Sequence, residues 1–503
     1  MKTLKQNYRF ASLLVLTSFA FSAVSCSSDD NGSAPIVPNV NFTALSNSNS
    51  IVKYNATNLA SPISTTPITG LAGGEQIVSI DYRPATGQLY GLGSSSRLYF
   101  INEQSGLATA VGAAAFTPLI AGTNASVNFN PTVDRVRLVT ESGQNLRLNP
   151  ETGVVAATDV AINGGTSPKI GAVAYTNSIA GSTATTLYDI DFEGDKLYIQ
   201  NPPNAGTLEL VGDLTVDFQG VGDFDILPDN SQALAVTYSG SVSTLYTIDL
   251  MTGKAEDIGD FGLQIIGIAF KTNPVAYAAT ATELIRFNPT TGSSSAVAFS
   301  GLLASETIVG MDFRPATSAL YAVTNQSRLV TVNTATGALT AIGATLSPAL
   351  SGTSFGVDFN PTVDRIRVVS NTGQNIRLNP DLGTVVATDL SLNPGSPSVN
   401  AAAYINNYVT ATTTTLFVID SGTDTLYMQT PPNNGTLVSV GALGVDVAAD
   451  SGFDIGGSSG AAFAVLKVGS TNSIYSINLT TGAATKIIDV SFQPLAMAVG
   501  LGF

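Results

Sequence analysis

One position of a repeated strand pattern carries most of the acidic chemistry in this chain. Reading along the repeat, it is Asp81, Asn128, Ala174, Asp225 and Ala269, and then, in a second series, Asp312, Asp358, Ala403, Asp454 and Ala498. If these strands line a common channel, Asp81 meets Asp225 in the first series, and Asp312 meets Asp358 and Asp454 in the second. Convergent carboxylates can hold a hard cation such as Ca2+ through oxygen ligands. They can also act as acid and base on a glycosidic bond, one raising the pKa of the other. Asp81, Asp225, Asp312 and Asp454 are therefore the candidate catalytic residues, with Asn128 and Asp358 as candidate binding positions beside them. A structural role competes, because buried polar groups are nearly always satisfied and a carboxylate can tie its strand to the next by accepting backbone amides. Asn128 stands where the second series has Asp358. That difference weighs toward the tie and against a catalytic role shared by both series.

A second constellation is cationic. Strand alternation puts Arg135, Arg137 and Val139 on one face, and Asn145 and Arg147 on one face of the following strand. A short Ser142-Gly143 turn brings Arg137 beside Arg147, and Arg367 and Arg377 repeat the pair. Adjacent guanidinium groups repel unless a carboxylate bridges them, for which the sequence offers Asp134 or Asp81. The functional version is a pocket for an anion or sugar acid. The architectural version is a network between neighbouring sheets, which repetition of the same residues favours. Asp217, Asp223, Asp225 and Asp229, partly echoed by Asp446, Asp450 and Asp454, form a weaker cation candidate. Asp189 to Asp195 has the flavour of a calcium loop but lacks the late Glu, Gln200 standing near that place, and reads as a solvated turn.

Absent residue types exclude more. There is no histidine and a single cysteine, Cys26, which rules out His-based triads, His ligands and a structural zinc site. No strand, Gly-rich loop and helix occur in succession for nucleotide phosphates. Lys and Arg number 21 against 36 for Asp and Glu, a net charge of −15, which disfavours nucleic acid as a partner. Charged residues are only 11% of the chain, so solubility rests on Ser, Thr, Asn and Gly, as suits an extracellular β-protein. No cofactor is required, Ca2+ being the one these residues could hold.

The elements that must position these side chains are strands. From Asn39 onward, short β-branched and aromatic runs alternate with Gly, Asn, Pro and Ser turns, and no helical period is sustained. Phe129 to Gly153 returns almost unchanged as Phe359 to Gly383, so the chain is duplicated. Turns such as Asn149 to Gly153 and Asn379 to Gly383 open on Asn and close on Gly, the chemistry of a hairpin connection. The ten aligned positions recur at roughly the 40 to 50 residues of a four-stranded propeller blade, which predicts an all-β propeller of ten blade-like repeats. Two tandem five-bladed rings are preferred over one ten-bladed ring, because propellers usually have about four to eight blades. In the first arrangement Ile265 to Phe270 completes a blade with Phe42 to Ile68, and Leu495 to Val499 completes one with Ala276 to Phe299. In the second, Leu495 to Val499 pairs with Phe42 to Leu45. The copies are then 39–270 and 271–503.

The repeated residues carry a resemblance. YRPATGQLYGLG at 82–93, FNPTVDRVRLV at 129–139, TTLYDID at 185–191, QNPPNAGTL at 200–208 and GDFDI at 222–226 recur as FRPATSALYAV, FNPTVDRIRVV, TTLFVID, QTPPNNGTL and SGFDI. Together they resemble the bacterial domain-of-unknown-function 4394 family over nearly all of the mature chain. The resemblance implies a propeller-like fold and carries over no activity and no catalytic residue.

At the start, Lys2, Lys5 and Arg9 precede the apolar run Phe10 to Val24, the pattern of an export signal over 1–25. Ala23-Val24-Ser25-Cys26 resembles a lipobox, which makes Cys26 the lipidation site and 26–38 a flexible tether. Ser27-Ser28-Asp29-Asp30 resembles the acidic signal that sends some Gram-negative lipoproteins to the outer face. The expected protein is thus a surface-anchored lipoprotein of the outer membrane that binds an extracellular glycan or protein without catalysis. The alternatives are a glycan-active hydrolase or lyase using the channel Asp residues, and a purely structural surface protein.

Overall fold

The computed structural model describes residues 36–503. The export signal, Cys26 and most of the tether lie outside the described residues. The rest is all-β: ten four-stranded antiparallel sheets, interrupted only by single 3-10 turns at Pro203–Ala205 and Pro432–Asn434. Among the described residues, no helix is long and apolar enough to cross a membrane.

The sheet built by the duplicated motif shows how sequence becomes structure. Its strands are Ala125–Asn130, Arg135–Thr140, Asn145–Leu148 and Val155–Thr158. The third hairpin turns because Asn149 Oδ1 accepts the Glu151 amide at 2.8 Å, and Gly153 takes φ 71°, a left-handed conformation that glycine adopts without strain. Burial falls from the first strand outward. Ala125–Asn130 is almost wholly buried, whereas Val155–Thr158 alternates between half-buried and exposed. The core therefore lies among the first three strands of each sheet, with aromatic pairs such as Tyr90 on Phe129 (ring centroids 5.0 Å apart) repeated as Tyr321 on Phe359 (5.2 Å).

First strands of successive sheets pack side by side, which brings the aligned Asp, Asn and Ala positions to a common interior. The opening sheet of each copy is completed from that copy's far end. Ile265–Ala269 pairs with Asn41–Ser46, Thr43 opposite Ala269. Ala496–Val499 pairs with Ala276–Ala279, Tyr277 opposite Ala498. Ala496–Val499 makes no pairing with Asn41–Ser46.

The copies also touch. The turn from Arg83 to Gln88 in the first copy meets the second: Gly502 N–H donates to the Thr86 carbonyl at 2.8 Å, and Tyr277 Oη to the Ala85 carbonyl at 2.8 Å. The Phe503 ring lies where a Cβ on Gly87 would stand, so only glycine lets the turn come this close.

Candidate functional site

In the first copy the aligned first-strand position holds Asp81, Asn128 and Asp225, each 1 to 3% exposed. Asp81 Oδ1 accepts the Tyr82 amide at 2.7 Å and Oδ2 the Phe129 amide of the next sheet at 2.6 Å. Asp225 repeats this with Ile226 at 2.8 Å and Phe270 at 2.6 Å. Asn128 Oδ1 accepts the Tyr175 amide at 2.9 Å, while its Nδ2 donates to Asp225 Oδ1 at 3.3 Å. Every side chain of this set thus ties its own strand to the following one. A second layer lies two residues earlier, where the Ser79 and Ser126 hydroxyls donate to the Asp223 carboxyl at 3.1 and 3.0 Å.

The second copy keeps the geometry and changes one atom group. Asp312 accepts Phe313 at 2.7 Å and Phe359 at 2.8 Å, Asp358 accepts Tyr404 at 3.0 Å, and Asp454 accepts Ile455 at 2.6 Å and Val499 at 2.5 Å. Asp312, Asp358 and Asp454 each offer an oxygen within 4.8 Å of the others, all three buried. Burial pushes Asp225 and Asp454 up to about 7. Burial and then the neighbouring Asp push Asp81, Asp312 and Asp358 well above the carboxylate range. A carboxyl oxygen of Asp358 lies within 4.8 Å of one of Asp454. Asp358 thus stands to Asp454 where Asn128 stands to Asp225, with a carboxyl in place of the amide. Both oxygens of Asp312 and of Asp454 and one of Asp358 already accept backbone amides, which a cation would have to compete with, so shared protons suit the cluster better.

The sign of the pH dependence follows. Raised carboxyl pKa values favour the folded state below pH 4, and that stability is lost as pH rises toward and through 7. Asp358→Asn, which copies the first series, should flatten the decline by up to about 1.4 kcal/mol per pH unit for each proton removed from the linkage. Melting temperatures at pH 5 and pH 8 check it: the variant gains at pH 8 and changes little at pH 5. An unchanged slope would show that the cluster does not titrate with folding.

The arginines form networks. Arg137 and Arg147 are opposite each other, as the alternation requires, but neither Asp134 nor Asp81 bridges them. Asp159 does, accepting Arg137 Nη1 at 2.6 Å and Arg147 Nε and Nη2 at 2.8 Å each. Arg137 also reaches Asn145 at 2.7 Å and Asn204 of the next sheet at 2.8 Å. Arg367 and Arg377 repeat the arrangement around Asp389, with Asn375 and Asn433. Asp134 is drawn away because its backbone turns at φ 51° and its carboxylate receives Arg83 Nε at 2.9 Å and Nη2 at 2.5 Å. Arg314 holds Asp364 likewise. Arg83, Arg314, Asp159 and Asp389 were not among the candidates, although YRPAT and FRPAT repeat the first two visibly.

The weaker candidates separate. Asp223 and Asp225 are buried on Val221–Ile226, while Asp217 before that strand bonds Gln219 and Asp229 after it caps Ser231 at 3.0 Å. Asp446 lies before Val447–Ile455, and Asp450, within it, accepts Gln493 at 2.6 Å. Asp189 is not in a solvated turn. It sits mid-strand in Leu187–Asp191, fully buried, and neither carboxyl oxygen has a partner. Only Phe192 to Asp195 turns, capped by Asp191 Oδ1 accepting the Glu193 and Gly194 amides at 3.2 and 3.1 Å. The misreading came from taking acidic density as a loop signal when alternation placed Asp189 on a strand face.

The family model described as "Domain of unknown function (DUF4394)" matches residues 50–269 and again 283–499. This chain belongs to the DUF4394 family. A search of the curated proteins found no match. The two DUF4394 regions share the Asp ties and both Arg networks, so what differs between them is the more informative. Besides Asn128 against Asp358, Asp189 is replaced by Val418, and the Lys53–Glu103 ion pair of the first copy, 2.9 Å long, has Arg286 and Thr334 at the corresponding positions.

Proposed function

We propose that this DUF4394 chain is a pair of five-bladed β-propellers acting as a non-catalytic binding protein for an extracellular glycan or protein. A lipid on Cys26 would hold it at the outer surface of a Gram-negative cell. The ring reading is supported by the packing order of first strands. Ile77–Tyr82 packs on Ala125–Asn130, then Ile170–Tyr175, Val221–Ile226 and Ile265–Ala269 follow, and the last of these packs on the first. Ile308–Phe313, Phe355–Asn360, Val399–Tyr404, Val447–Ile455 and Ala496–Val499 follow the same cycle.

The observation that carries the non-catalytic reading is that both oxygens of Asp81, Asp225, Asp312 and Asp454 already accept backbone amides, one within the strand and one from its neighbour. An acid or base must reach the substrate proton directly or through one water, and these buried oxygens are directed into the fold. The test is a glycan-array screen of the mature protein and of the four Asp→Asn variants. Saturable binding that survives in the variants, with lower melting temperatures and no turnover, is the expected result. Turnover of a glycan by the parent, abolished in folded variants, would replace this reading with the hydrolase or lyase. No saturable ligand at all would leave a structural surface protein.

A further inference from the structure

Five arginines are buried among the described residues: Arg83, Arg137, Arg286, Arg314 and Arg367. Four pair with a carboxylate, namely Asp134, Asp159, Asp364 and Asp389. Arg286, 8% exposed, does not. Its Nη1 donates to the Thr334 carbonyl at 3.4 Å and its Nε has no partner. Asp134, which lines the same small cavity, is taken by Arg83 and receives the Thr334 hydroxyl at 3.5 Å. Burial without a countercharge draws the Arg286 pKa below the usual arginine value. Leaving a buried cation unpaired is strongly destabilising.

The first copy has what Arg286 lacks. Strand register makes Lys53 its equivalent: Thr43 is flanked by Lys53 and Ala269, as Tyr277 is flanked by Arg286 and Ala498. Lys53 Nζ sits 2.9 Å from Glu103. Glu103 follows Asn102 at the head of its turn, and in the second copy Thr334 follows Asn333. The carboxylate has been lost while the cation has been kept.

Arg286 also lines a cleft of about 610 Å³ between the Asn177 to Ala184 loop of the first copy and the opening sheet of the second. Gly181, at φ 82°, lets that loop close over the guanidinium, since a Cβ there would lie 2.7 Å from Nε and 2.8 Å from Ser295 Oγ. Asn177, Ser182, Thr183, Asn288 and Ser293 line it as well; the Asn177 and Ser182 side chains are held within the loop, which leaves the Thr183 hydroxyl and the Asn288 NH2 group to meet a ligand. This volume is within the range of small-molecule sites, roughly 300–1,000 Å³. One guanidinium balances one negative charge, so in a chain of net charge −15 a monoanion suits the cleft better than a phosphate dianion.

We propose that the cleft binds a uronic acid unit of an extracellular polysaccharide, its carboxylate pairing with the edge of the Arg286 guanidinium that no carboxylate of the chain holds, and its hydroxyls bonding Thr183 and Asn288 at the rim. This rests on the binding reading above and narrows its ligand. The experiment is calorimetric titration of the mature protein with oligogalacturonate and oligomannuronate, against a neutral oligosaccharide of equal length. An oligouronate should bind, less tightly at higher salt. Arg286→Gln and Thr334→Glu should each weaken it at least about tenfold, or 1.4 kcal/mol. Thr334→Glu sets a carboxylate beside Arg286 but gives up the Thr334 bond to Asp134, so melting temperatures of both variants are measured with the titrations, which separates lost binding from lost fold. Failure of both oligouronates to bind, or equal binding by both variants, overturns the inference. Neutral-glycan binding that survives Thr334→Glu, with no oligouronate binding, overturns it while leaving the binding function in place.

Discussion

Arg83→Met should lower stability by about 3–5 kcal/mol, because it leaves the Asp134 carboxylate buried without its cation. Arg83 has no exposed side-chain surface and Asp134 has 10%. Besides the two-pronged contact with Asp134, the guanidinium donates to the Ser318 carbonyl of the second copy at 3.2 Å, so the substitution loosens the contact between copies as well. The second copy provides the control. Arg314 holds Asp364 and Asp381 in the same way, but these carboxylates are 35% and 65% exposed and water can replace the arginine. Arg314→Met should therefore lose only about 1 kcal/mol. Denaturant melts of both variants decide the matter, and equal losses would mean that burial does not set the strength of these pairs. The double variant Arg83→Met with Asp134→Asn should recover part of the loss, since Asn tolerates the left-handed backbone and the buried carboxylate is gone, while Glu151, the other partner of Arg83, is 33% exposed and can be solvated.

Asp189→Val should do the opposite and stabilise the protein by about 1–3 kcal/mol, the penalty of burying a polar group without a partner. The second copy already carries Val418 there, fully buried at the corresponding point of Leu416–Asp420. Burial raises the Asp189 pKa well above the carboxylate range, with Arg137 opposing it in part. The folded state therefore holds a proton that the unfolded chain releases above pH 4, and stability falls as pH rises. The gain from Val should accordingly be larger at pH 8 than at pH 4.5, which thermal melts at the two values would show. A melting temperature below the parent's at either pH would refute it.

Much of this could be read from residue order. The hairpin turns, the ten four-stranded units and the pairing of Arg137 with Arg147 depend on period-two alternation and on Asn and Gly at turn ends, which are local signals. The duplication supplied the register, because each strand could be checked against its copy. What escaped was the choice of partner across sheets. Asp134 lies beside Arg135 in sequence and within a strand of Arg137, yet it bonds Arg83 from the preceding sheet. Asp159 follows Val155–Thr158, whose alternation puts it on the half-buried face of Val155 and Ala157, but nothing in that pattern names Arg137 and Arg147 as its partners. The burial of Asp189 escaped for a related reason: acidic residues normally mark solvent, and only its replacement by Val418 showed otherwise. The unpaired state of Arg286 became visible only when Lys53 and Glu103 were seen in contact, because no sequence pattern marks a missing partner.

The way each opening sheet is completed has a consequence for the order of folding. Asn41–Ser46 acquires its second neighbour only when Ile265–Ala269 has been synthesised, and Ala276–Ala279 only when Ala496–Val499 has. Until then, strands whose Ala44, Leu45, Ala276 and Ala278 end wholly buried stand at a sheet edge with unpaired backbone. Joining ends so far apart adds little equilibrium penalty, since loop entropy grows only with the logarithm of length, but it slows the search. Register matches Ala44 with Ala278 at the two openings and Ala269 with Ala498 on the two closing strands. The growing chain thus has two related closures to make in turn, and the misfolding expected of it is the first closing strand caught in the second opening.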